Sequence, residues 1–88
     1  MVGITVICAS NDDQVLQRNL LASPCVESGA VQCLVLTGYR NVAGAYNAAL
    51  PHALHDLVCF VHQDVYLPEG WDTALLAQLE RVAADDPD

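Results

Sequence analysis

An acid placed directly after a buried parallel strand is aimed into whatever crevice the sheet opens onto, and Asp64 stands in that position behind the apolar run Leu57 to His62. A hard divalent cation takes carboxylate oxygen, keeps several waters and bridges to substrate phosphates, so one carboxylate with a second donor nearby is enough to hold it. His62 lies two residues earlier, on the same side of an extended strand, where it could address the same ion or a ligand hydroxyl. Imidazole suits Mn²⁺ or Zn²⁺ better than Mg²⁺. Asp64 and His62 are therefore candidate ligands of Mn²⁺ or Mg²⁺. The plainer alternatives are an aspartate capping the turn into Tyr66 and Leu67, and a histidine hydrogen-bonded at the sheet rim. Asp12 and Asp13 could join such a site, although the preference of helix N-termini for negative charge explains them equally well. His52 and His55 fall in a polar connector and read as solvated or capping side chains.

The elements that must position these residues are legible as three apolar, β-branched runs alternating with helical spacing. Ile4 to Ala9, Val31 to Leu36 and Leu57 to His62 have the near-continuous hydrophobicity of strands covered on both faces. Ser10, Asn11, Asp12 and Asp13 supply helix-start chemistry after the first run, and Val15, Leu16, Leu20 and Leu21 recur at helical spacing until Pro24 stops them. A small-residue helix follows from Asn41, ending or kinking near Leu50 because Pro51 lacks an N–H. It could resume through His52 to Leu54. The turn Pro68-Glu69-Gly70 opens a last helix over Trp71 to Ala84, whose Leu75, Leu76, Leu79 and Val82 read as a core stripe. Residues 85–88 read as an acidic frayed tail.

Strand and helix in alternation predict an α/β domain over residues 1–84, with helices in layers around a short parallel sheet. With the first strand central, the order is 2-1-3, and ligands of such sheets bind beyond the carboxyl ends of the strands at the point where the order reverses. Those ends carry Ser10 to Asp13, Thr37 to Arg40 and His62 to Asp64. The third strand is then an edge without charge or proline, an invitation to self-association.

Composition narrows the partners. Eleven acidic residues against three arginines and no lysine give a net charge of −8 over 88 residues, which excludes phosphate neutralisation along a nucleic acid. No apolar stretch approaches the ~20 residues of a membrane span, and Met1 is not followed by a signal-like segment. A cytoplasmic domain is the expectation. Cys8, Cys33 and Cys59 sit inside apolar runs and Cys25 in a polar connector, with no zinc spacing, so buried reduced thiols are expected.

Two segments carry a resemblance to a known family. Phe60-Val61-His62-Gln63-Asp64-Val65-Tyr66-Leu67-Pro68-Glu69-Gly70-Trp71 resembles the short metal-binding motif and following turn of family 2-like glycosyltransferases of the GT-A (Rossmann-like) fold. It is most similar to the branch related to the streptomycin-biosynthesis protein StrF, where His-Gln-Asp replaces the usual Asp-x-Asp. Asn41-Val42-Ala43-Gly44-Ala45-Tyr46-Asn47 resembles the segment whose Asn faces the nucleotide-sugar.

The resemblance implies a nucleoside-diphosphate sugar donor with a divalent cation on its diphosphate. It implies donor contacts at Ser10, Asn11, Asn41, Asn47 and His62, and metal binding at Asp64 and His62. The sequence departs from the family where Thr37-Gly38-Tyr39 replaces an acidic second-strand ending, and where Tyr46 precedes Asn47 in place of Arg; Arg40 could substitute on the phosphates. The family takes its general base from a later segment, so the chain is expected to be the donor-binding N-terminal part, with no catalytic residue assigned. Two other classes fit parts of the pattern: a non-catalytic nucleotide-sugar-binding module, and a receiver-like domain in which Asp12, Asp13 and Asp64 form an acidic pocket. Against the second, the expected later hydroxyl residue and lysine are missing.

Overall fold

The computed structural model describes residues 3–85. Strand β1 (Ile4–Ala9) is followed by helices α1 (Asp13–Arg18) and α2 (Pro24–Glu27), strand β2 (Gln32–Leu36), helix α3 (Val42–Ala49) with a 3-10 turn at Leu50–His52, strand β3 (Leu57–Val61) and helix α4 (Trp71–Asp85). The sheet is parallel with order β2-β1-β3. Cys8 lies between Val35 on one side and Val61 on the other. The α/β architecture and strand order expected from the hydrophobic pattern are both present.

The central strand is continuous in hydrophobicity because it is covered on both faces. Val6, Ile7 and Cys8 are each fully buried. Ile4, Val6 and Cys8 point into the main core with Leu16, Leu20, Cys25, Val31 and Leu67, against which Trp71, Leu75 and Leu76 of α4 also pack. The alternate residues face α3, whose Ala45 and Ala49 are buried and whose Tyr46 ring stacks on Phe60, with centroids 4.2 Å apart. Small residues let α3 approach the sheet closely. Three layers result, with α1, α2 and α4 on one side and α3 on the other.

Several local expectations are corrected. Pro24 does not end a long first helix; α1 stops at Arg18, and Pro24 begins α2 at a position where its missing N–H costs nothing. Cys25 consequently leaves the polar connector and is 5% exposed in the core. Val31 precedes β2, its N–H donating to the Cys25 carbonyl at 3.2 Å. The helical continuation past Pro51 is one 3-10 turn, closed by Ala53 N–H donating to the Leu50 carbonyl. Leu79 is 40% exposed, and among the described residues α4 packs on the core through Trp71, Leu75 and Leu76; the side chain of Val82, expected in the same stripe, lies outside the described residues. Helix α4 includes Asp85, and the remainder of the expected frayed tail, 86–88, lies outside the described residues.

At the amino ends of the strands a second tie holds the sheet. Gln32 Oε1 accepts from the buried Thr5 hydroxyl at 2.6 Å and from Leu54 N–H at 2.8 Å, while its amide donates to the His52 carbonyl at 3.0 Å. His52 therefore contributes its backbone to the fold, and its side chain is exposed. No helix among the described residues is long and apolar enough to cross a membrane.

Candidate functional site

At the carboxyl ends of the strands a crevice of about 760 Å³ opens, within the size range of small-ligand sites. Its wall is built from three connections. Ser10 and Asn11 come from the end of β1, Tyr39, Arg40 and Asn41 from the β2–α3 loop, and His62, Gln63 and Asp64 from the end of β3. The topology brings these together because parallel strands deliver all their carboxyl ends to one side.

Gln63 organises the floor. Its Oε1 accepts from Ser10 Oγ at 2.8 Å and from the backbone N–H groups of Asn11 and Asp12, each at 3.0 Å. Its amide nitrogen donates to Asn11 Oδ1 at 2.7 Å. One side chain from the β3 end thus fixes the whole β1–α1 connection. Sequence reasoning passed over Gln63 as the middle of His-Gln-Asp; the signal that could have singled it out is an amide, with both donor and acceptor, flanked by the two candidate ligands. The tie leaves Asn11 Nδ2 as its side chain's remaining polar group, and Ser10 keeps its acceptor lone pairs.

The β2–α3 loop forms the opposite wall. Gly38 adopts φ +80°, a conformation that side chains resist, and turns the chain at the end of β2. Asn41 caps α3, its Oδ1 accepting from Gly44 N–H at 2.7 Å. A Cβ at residue 44 would approach that oxygen to 3.2 Å, so glycine leaves room for the cap. Asn41 is thus both crevice wall and structural cap. Tyr39 is 48% exposed beside Arg40, offering an aromatic face next to a cation.

His62 and Asp64 both line the crevice, but not as alternate residues of an extended strand. Pairing with β1 ends at Val61, and residues 62–65 form a turn closed by Val65 N–H donating to the His62 carbonyl at 3.1 Å. Both side chains are exposed. Asp64 lies close enough to the core for its charge to add to burial, the larger cause, in raising the Cys8 thiol pKa. Asn47 is exposed on α3 and is not part of the crevice lining.

Asp12 and Asp13 serve α1. Asp12 Oδ1 accepts from the N–H groups of Gln14 and Val15 at 3.1 and 3.2 Å, and Asp13 Oδ2 accepts from the Gln17 amide at 2.7 Å. Neither lines the crevice. Among the described residues no group of three or more His, Cys, Asp or Glu side chains is arranged to hold a metal ion. A fully protein-caged ion does not fit this donor set. A hard cation held by one carboxylate and completed by water and ligand phosphates does.

No protein-family model, curated protein or solved structure matches the chain.

Proposed function

We propose that the crevice binds a nucleoside-diphosphate sugar together with a divalent cation. The observation that supports this reading is the convergence, on one crevice at the strand carboxyl ends, of an acid (Asp64), an imidazole (His62) and an arginine (Arg40) beside an exposed tyrosine. Asp64, with His62, would hold Mn²⁺ or Mg²⁺, and the cation would neutralise diphosphate charge. Arg40 supplies a second positive group that needs no metal, and Tyr39 a face on which a base or sugar can stack. Ser10, Asn11 and Asn41 offer hydrogen bonds to hydroxyls at the walls. His-Gln-Asp and the turn to Trp71 resemble the metal motif of family 2-like glycosyltransferases, which supports the same ligand class.

The reading extends to binding and leaves transfer open. Among the described residues of the lining, Asp64 is the one carboxylate and His62 the one imidazole, and both are assigned to the cation. No further carboxylate of the described lining remains to deprotonate an acceptor hydroxyl. That favours a donor-binding role for these residues, as a binding module or as the donor-binding part of a glycosyltransferase.

Titration calorimetry with UDP-glucose and other nucleoside-diphosphate sugars, in Mn²⁺ and in chelator, tests the proposal. The expected result is binding between about micromolar and millimolar that depends on the cation. Equal binding in chelator removes the metal role, and no binding of any nucleoside-diphosphate sugar in Mn²⁺ or Mg²⁺ removes the reading.

A further inference from the structure

Strand β3 is an edge of the sheet. Among the described residues no backbone hydrogen bond joins Leu57–Val61 to anything but β1, so the outward N–H and C=O groups lack protein partners. The strand contains no charge and no proline, the usual devices against edge pairing. On its α3 face Phe60 is 48% exposed despite its stack on Tyr46. Strand β2 offers an equally uncharged outer edge. The difference lies in what flanks β3: Asp56 before it, His62 and Asp64 after it, all three exposed.

We propose that β3 pairs antiparallel with β3 of a second copy of this chain, about a two-fold axis centred on Cys59. A two-fold axis perpendicular to the sheet keeps the faces of both copies aligned, so allowed registers differ by shifting the centre one residue along the strand. Centred on Cys59, Val58 faces Phe60, covering the exposed ring with a β-branched side chain, and Asp56 and His62, which flank the strand at its two ends, are brought next to each other. Symmetry makes each of these contacts twice. Centred on Phe60, Val58 would come against His62 and Asp56 would fall opposite the turn that follows β3, without a strand partner. Centred on Val58, the Asp56 carboxylate would oppose the Phe60 ring. Of the three, the Cys59 register alone gives the carboxylate an N–H donor and the aromatic ring an aliphatic partner. The net charge of −8 opposes indiscriminate association, so pairing requires such a complementary register. In this dimer Asp56 of the second copy reaches the crevice rim at His62. The inference does not depend on the donor-binding reading.

Sedimentation of the 88-residue chain in chelator, over a concentration series from micromolar to millimolar, tests it. The expected result is a reversible monomer–dimer equilibrium. His62→Asp sets like charges next to each other twice and is expected to weaken association about tenfold. Asp56→Arg combined with His62→Asp reverses the pair and is expected to restore association to within about threefold of the original. A monomer across the whole range overturns the proposal. So does association that His62→Asp leaves unchanged, the outcome if the copies met through β2, or a double variant that fails to recover.

Discussion

The Gln63 side-chain oxygen accepts a hydrogen bond from the Ser10 hydroxyl at 2.8 Å, joining chain segments 53 residues apart in the lining of the crevice. Because the same oxygen also accepts from the Asn11 and Asp12 N–H groups, Gln63→Ala leaves several polar groups without their partner at once. Water can reach the Asn11 and Asp12 groups, which limits the loss to about 1–3 kcal/mol. At roughly 4–8 °C per kcal/mol for a domain of this size, a fall of several degrees in the thermal midpoint is expected, read by calorimetry. An unchanged midpoint would show that the tie contributes nothing to stability.

Asp64→Asn separates site from fold. The side chain is exposed and follows the end of β3, so the thermal midpoint is expected to change little. Donor binding in Mn²⁺ should fall to the level seen in chelator, because an amide oxygen is neutral and a poorer ligand for a hard cation. Calorimetry on the variant with and without Mn²⁺ checks this; a retained cation dependence would move the metal role away from Asp64.

Arg40→Ala tests the metal-independent positive group of the crevice. Loss of a guanidinium from a diphosphate is expected to weaken donor binding by about 1.5–3 kcal/mol, roughly 10- to 100-fold. The loss should persist in chelator for any residual binding. An affinity equal to that of the unaltered chain would show that the Arg40 side chain, though part of the wall, does not reach the ligand.

Ser23 is fully buried, and its hydroxyl accepts from Leu67 N–H at 2.8 Å while donating to the Asn19 carbonyl at 3.2 Å. It pins the connection after β3 to the α1–α2 turn. Ser23→Ala strands a buried N–H and is expected to destabilise the chain by about 1–3 kcal/mol. Chemical denaturation measures it, and Ser23→Thr does not serve as a control, because an added methyl has no space at a fully buried site.

The thiols predict a pH dependence on the alkaline side. Burial, followed by the fields of Cys8 and Cys25, pushes the Cys33 thiol up to about 11 from an ordinary 9.0. Above pH 9 the unfolded chain releases a proton that the folded chain retains, so stability falls as pH rises from about 9 through 11 and is unaffected by this group below that window. Denaturation midpoints across that range check the sign, and Cys33→Ala should flatten part of the slope. Burial raises Cys8, Cys25 and Cys59 as well. A thiol reagent at pH 8 should accordingly react slowly with the folded chain.

The pairing of β1 with both β2 and β3 is what makes the first strand central. The amino-acid sequence by itself determined the strands, three apolar β-branched runs, and the order 2-1-3 on condition of that placement. It also determined that Ser10, Asn41, His62 and Asp64 share one end of the sheet, since parallel strands present their carboxyl ends together. What it left open depends on contacts between residues distant in the chain. Pro24 could be read as a stop from local propensity, and became a helix start only because burying Cys25 and Ser23 gave α2 a core to rest on. Leu79 keeps helical spacing with Leu75 and Leu76, yet it stays 40% exposed while they pack on the core. The role of Gln63 was invisible for the same reason. Hydrogen-bond partners 51 to 53 residues away leave no periodic trace in sequence, and only the closure of β1 against β3 brings the amide within reach of the loop it holds.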